Sequence, residues 1–319
     1  MRATIGRAAA LALFLSITTA TATAREADWK ADHDAGWKAF QDGKLAEAEA
    51  RLKKAEAAAK ALGEKDPALA TVRDHLAWVL CAEGKGKEAE PLAKWALDWR
   101  EKAEVPDGAE VLQSLNTLAC LYDAEGKLDA AEPLYKRALA IAEKGGQADE
   151  AKAAALLDNL ATIAHDKGRA AEAEADYKRA LAIREKAAGP DSIDLAPTLA
   201  NLAALDIERG ELDEAGPLAR RALKIREKAL GPDHPDVAAS LEILATLETK
   251  RSKAAEALPL YKRALSIYEH AVGRDHPHVA RCCTKMATCC RACGQPAEAA
   301  KLDARAKAIH DAHKHTPAK

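Results

Sequence analysis

A glycine returns about every 42 residues along this chain. Gly43, Gly84, Gly126, Gly168 and Gly210 follow one another at intervals of 41 or 42, Ser252 takes the next place, and Gly294 closes the series. A period of this length marks one supersecondary unit copied in tandem, each copy able to bury its apolar side only against its neighbours. Glycine belongs where a helix stops and reverses, because it enters the left-handed conformation without a side-chain clash. Serine at such a point costs about 1 kcal/mol, so the sixth turn is predicted to be the weakest.

Ahead of each turn, apolar residues fall at helical spacing, as in Leu115, Leu118, Leu121 and Tyr122, or Leu199, Leu202 and Leu205. Alanine recurs in two registers. Ala77, Ala119, Ala161, Ala203, Ala245 and Ala287 precede the turn, and Ala48, Ala89, Ala131, Ala173, Ala215, Ala257 and Ala299 follow it by five residues. Small side chains in both places let two helices approach closely while larger neighbours interdigitate. The composition agrees: 4% aromatic residues, and 48% hydrophobic residues supplied largely by alanine, suit thin helix-on-helix packing better than one large core. Seven units are expected, over 29–63, 66–105, 108–146, 149–189, 192–231, 234–273 and 276–312, with a loose tail at 313–319. Turns such as Gly231-Pro232-Asp233-His234-Pro235 join one unit to the next.

The run Leu115, Leu118, Ala119, Tyr122, Ala131, Tyr135, Ala138 resembles the tetratricopeptide repeat pattern. The unit is eight residues longer than usual, and with Glu132-Pro133-Leu134-Tyr135-Lys136-Arg137-Ala138-Leu139 in its second helix it is similar to the kinesin light chain subclass. The resemblance spans residues 29 to 312. It implies an all-α, right-handed superhelical solenoid of seven helix-turn-helix repeats, with the first helix of each pair lining a concave face that holds an extended peptide or partner protein. The last repeat departs from the others, with Asp303 where Tyr135, Tyr177 and Tyr261 stand, as a solvated cap requires.

The first 24 residues read as a secretion signal. Arg2 and Arg7 form a positive start, Ala8–Ile17 is apolar, and Ala22-Thr23-Ala24 offers a small-residue cleavage site. The residues from 25 onward are therefore expected to work outside the cytoplasm, periplasmic or secreted, with a membrane involved only through that segment if it stays uncleaved. A formal net charge of −2 with mixed signs leaves no basic field for a phosphate backbone, so no nucleic-acid partner is expected.

Function is sought on the first helices. The resemblance implies that Asn116, Asp158, Asn159 and Asn201, nine or ten residues before their turns, sit in the groove, where amides offer a donor and an acceptor to a peptide bond. Trp37 and Trp78, six residues before theirs, are candidate aromatic anchors lying side by side. Lys250 and Lys285 belong to a positive end of the same face, opposite acidic Asp123, Asp166 and Glu208, so a bound chain would be oriented by charge. Five cysteines crowd the seventh repeat. Cys283 and Cys289 take leucine positions and read as small core residues. A metal- or redox-responsive alternative would gather His278, Cys282, His310 and His313, and Cys81 could pair with Cys120 if their Cα atoms lie within about 7 Å. No cofactor is expected. No phosphate loop, HExxH or Gly-x-Ser-x-Gly occurs. His234 and His276 sit in Asp-His-Pro turns, where they are expected to cap the next helix. The reading is a non-catalytic binding scaffold.

Overall fold

The computed structural model describes residues 29–103 and 108–314. The proposed signal segment lies outside the described residues, as does the tail beyond Lys314. Among the described residues every regular element is helical: fourteen α-helices and two short 3-10 turns. They fall into two compact units that divide between Asp149 and Glu150.

The first unit contains α1 (29–41), α2 (Leu45–Lys60), α3 (Pro67–Ala82), α4 (Gly86–Lys102), α5 (Ala109–Ala124), α6 (Leu128–Lys144) and a 3-10 turn at Gly146–Asp149. The second contains α7 (Glu150–Asp166), α8 (Ala170–Ala188), a 3-10 turn at Ile193–Leu195, α9 (Ala196–Arg209), α10 (Leu212–Leu230), α11 (Pro235–Lys250), α12 (Ala254–Val272), α13 (Pro277–Ala292) and α14 (Pro296–Lys314). Odd-numbered helices are the first members of the pairs and even-numbered helices the second. Each second helix also touches the first helix of the following pair within its unit.

Local chemistry sets the ends of these helices. Asp66 caps α3 by accepting from the Ala68 N–H at 2.9 Å, with Pro67 as the first helical residue. Nδ1 of His234 accepts from the Asp236 N–H and Nδ1 of His276 from the His278 N–H, both at 3.2 Å, so the two turn histidines do cap α11 and α13. At the reversals, Gly210 is left-handed with φ 81, and Ser252 is forced to φ 62. Ser252 is the one non-glycine residue with positive φ among the described residues.

Both alanine registers are buried, Ala77 and Ala89 on one hairpin and Ala245 and Ala257 on another showing no exposed surface. The core within each hairpin is thus a thin layer. In the last repeats Cys282, Cys283, Cys289, Cys290 and Met286 join Tyr261, Tyr268 and Ile267 in one apolar cluster. No helix among the described residues is long and apolar enough to cross a membrane.

Candidate functional site

Exposure along the first helices recurs at thirteen, nine, six and two residues before the turn. In the second unit this gives Ala155, Asn159, Thr162 and Asp166 on α7, then Pro197, Asn201, Ala204 and Glu208 on α9. Ala239, Ile243, Thr246 and Lys250 follow on α11. α13 contributes Arg281, Lys285 and Thr288. These side chains share one stripe of each helix because the offsets follow the 3.6-residue turn. Neighbouring stripes adjoin, since α9 touches α11 and α11 touches α13.

Six residues before the turn, the side chain meets the tyrosine of its own hairpin. Thr162 and Tyr177 are 3.0 Å apart hydroxyl to hydroxyl, as are Thr246 and Tyr261, and Tyr135 donates to Cys120 Sγ at 3.1 Å. The two tryptophans occupy this register where the second helix lacks tyrosine, Ala93 standing opposite Trp78 and Leu52 opposite Trp37. Trp37 is half-buried, stacked on Phe40 at 5.2 Å and on His75 at 4.2 Å, while His33 Nε2 and His75 Nδ1 share a 2.7 Å hydrogen bond. Burial, followed by the nearby His33, pulls the His75 pKa down to about 4. Trp78 is also half-buried. The aromatic partner of Trp37 in the second repeat is therefore His75, which sequence reasoning did not single out.

The asparagines divide by register. Asn159 and Asn201, nine residues before their turns, lie on the open stripe, Asn201 exposed and Asn159 half-buried. The residue ten before the turn points instead toward the second helix. Asp158 is not a groove residue: its carboxylate lies 2.5 Å from the Arg184 guanidinium and accepts from Thr198 Oγ1 at 3.0 Å, and burial raises its pKa despite that partner. Asn116 shares that register, half-buried with its Oδ1 3.8 Å from Cys120 Sγ. The first unit repeats the arrangement. Arg100 Nη1 lies 3.0 Å from Asp74 Oδ2 and donates to Ser114 Oγ at 2.6 Å and to the Glu110 carbonyl at 2.8 Å. Each such set staples one repeat to the next from a buried position.

Lys250 is exposed on the stripe. Lys285 Nζ is 3.9 Å from Glu242, a buried carboxylate that also holds Arg281 at 2.9 Å and the Tyr268 hydroxyl at 3.0 Å. Much of the positive charge at this end is thus already matched. His165 and Glu208 pair at 2.7 Å, and Arg291 pairs with Asp303 at 2.6 Å.

The tetratricopeptide repeat profile matches residues 75–144, 152–215, 195–270 and 241–312. The chain belongs to the tetratricopeptide repeat family. Among solved structures it is similar to BtubC (BKLC) from P. vanneervenii, with 22% identity over 74% of this chain and 92% of that one, at a TM-score of 0.58. It is similar to the apo form of RapI, with 16% identity over 90% and 99% of the two chains and a TM-score of 0.70. A third likeness is to the Rap conjugation gene regulator of plasmid pLS20, solved in complex with the Phr* peptide, with 16% identity over 90% and 75% and a TM-score of 0.63. At these identities the likeness is one of fold. Among curated proteins none matches the chain.

Within this tetratricopeptide chain the metal alternative fails on geometry. Cys282 lies buried with its Sγ 3.8 Å from the Tyr261 carbonyl on α12, His278 stacks on Tyr268, His313 meets the Ile309 carbonyl and His310 is exposed. Cys282 faces the preceding repeat, away from the histidines of α14, and no group of three His, Cys, Asp or Glu among the described residues is placed to hold an ion. Cys81 and Cys120 are free thiols, as are the other five. Burial raises the Cys120 pKa to about 11.

Proposed function

We propose that this tetratricopeptide chain is a non-catalytic interaction scaffold that holds an extended peptide, or an extended stretch of a partner protein, on the open stripe of its second unit. The observation that carries the reading is the register of Asn159 and Asn201. Both amides stand nine residues before a turn, in equivalent places on α7 and α9, on a face that is mostly small or polar apart from Pro197 and Ile243. An amide both donates and accepts, which matches a peptide bond one group at a time, and such hydrogen bonds fix a backbone without demanding a particular sequence. Thr162 on α7, Thr246, Ile243 and Lys250 on α11 and Lys285 on α13 belong to the same stripe. The fold likeness to a regulator solved with a bound peptide supports the reading by analogy.

The test is retention of peptides from a random decamer library on the immobilised chain. Replacing both Asn159 and Asn201 with alanine should reduce retention about tenfold while far-ultraviolet circular dichroism stays unchanged. Equal retention by the double variant overturns the assignment. We further propose, from residues 1–24, that the chain acts outside the cytoplasm. N-terminal sequencing of protein from the native host should then begin at Arg25.

A further inference from the structure

Eleven residues after the turn, the later repeats carry Arg137, Arg179, Arg221, Arg263 and Arg305 on their second helices. Four residues further on stand Ile141, Ile183, Ile225, Ile267 and Ile309. The second repeat has Trp95 and Trp99 in those two places. Arginine in this register ties one repeat to the one before it. Arg263 Nη1 lies 2.8 Å from Glu227, and its Nη2 donates to the Pro232 carbonyl at 3.1 Å. Arg305 holds Glu269 and the Arg274 carbonyl in the same way. At the second repeat both ends of that arrangement have changed. Glu227 and Glu269 stand seventeen residues after their turns, where the first repeat has Lys60. The loop carbonyl equivalent to that of Pro232 belongs to Glu64, and it accepts from Trp99 Nε1 at 2.8 Å.

Around the two tryptophans lies a cavity of about 470 Å³, lined by Trp95, Trp99, Glu64, Lys65, Asp98 and Lys102. That volume falls among small-ligand sites, which span roughly 300–1,000 Å³. Trp99 also lines an adjoining cavity of about 280 Å³. Both rings are fixed in place. The Arg73 guanidinium covers Trp95 at 4.2 Å and its Nε donates to Glu56 at 2.8 Å, while Trp99 is tied through its Nε1. The rim carries two carboxylates and two ammonium groups, all on exposed residues, with Asp98 and Lys102 paired at 2.6 Å. Neither sign of charge prevails there. The open stripe runs on the first helices, whereas these residues belong to α4 and the loop ahead of α3.

We propose that this cavity is a binding site for a neutral saccharide, separate from the peptide stripe. One face of a sugar ring is a layer of C–H groups, which packs flat on an indole whose π face is negative. The hydroxyls around the ring both donate and accept, and the carboxylates and ammonium groups of the rim answer each role. An anion would meet Glu64 and Asp98, and a cation would meet Lys65 and Lys102, so an uncharged ligand fits best. Rings already held in position lose little freedom on binding.

The test places the fluorescently labelled full chain on an array of immobilised neutral, sialylated, uronic-acid and amino-sugar glycans. The native chain should be retained on neutral glycans. Trp95→Arg and Trp99→Ile each write the later repeats into the second one, and each should lower that retention about tenfold with far-ultraviolet circular dichroism unchanged. Asp98→Ala together with Lys102→Ala alters only exposed side chains and should lower it too, which keeps the test valid if a tryptophan variant unfolds. Asn159→Ala together with Asn201→Ala should leave glycan retention as it is. The site is overturned by an absence of retention on neutral glycans, or by retention on charged glycans alone. Undiminished retention in the folded tryptophan variants, or its loss in the asparagine variant, overturns it equally.

Discussion

The carboxylate of Asp74 and the guanidinium of Arg100 lie 3.0 Å apart with almost no solvent on either. Burial raises the Asp74 pKa even beside that cation, so the pair is held at some desolvation cost and each partner depends on the other. Asp74→Ala should therefore destabilise the first unit by about 3 kcal/mol, because it strands a buried cation. Replacing both residues with leucine should cost less than the sum of the single changes. Urea unfolding followed by tryptophan fluorescence reads this unit selectively, since all five tryptophans lie at or before Trp99.

Ser252 pays for its left-handed backbone with a side chain that glycine would not carry. Ser252→Gly should stabilise the second unit by about 0.5–1 kcal/mol. Denaturant unfolding followed by circular dichroism checks it, and an unchanged or lower midpoint would refute it.

His75 stays neutral in the folded chain because burial, then His33, pulls its pKa from 6.5 to about 4. A lowered histidine leaves stability intact above about 6.5, and stability is lost as pH falls toward 4, because the unfolded chain takes up the proton first. The loss should approach about 3 kcal/mol at the bottom of that window. His75→Gln should flatten the pH dependence of tryptophan-monitored unfolding.

Asp206 on α9 behaves in the opposite sense. Burial, with Glu211 and Glu174 nearby, raises its pKa to about 6. Its charge is a penalty above that pH, relieved as pH falls from 6 toward 4. Asp206→Asn should stabilise α9 by about 2 kcal/mol at pH 7.5, with the gain gone near pH 4. Amide exchange in α9 measured at both pH values gives the readout.

Fold class, helix pairing and the strained sixth turn were all readable from the 42-residue period, because alanine and glycine spacing reports how closely helices approach. The site was legible only in part. Asn159 and Asp158 are adjacent polar residues, yet a helix turns about 100° per residue. One faces the open stripe and the other a half-buried arginine, and polarity alone does not choose between them. The available signal was the triplet in fixed register, Asp74, Arg100 and Ser114 matched by Asp158, Arg184 and Thr198. Trp37 and Trp78 looked like paired anchors for a similar reason: their bulk was visible, but the stacking of Trp37 on His75 of the second repeat shows only once the helices are set side by side.

Four of the seven unpaired thiols, Cys282, Cys283, Cys289 and Cys290, are buried in the core, where desolvation raises their pKa values. A protonated thiol is a slow nucleophile, so this helix resists alkylating and oxidising reagents for as long as it stays folded. The architecture accordingly owes nothing to covalent cross-links, and an isolated preparation should hold its shape equally in dithiothreitol and in air.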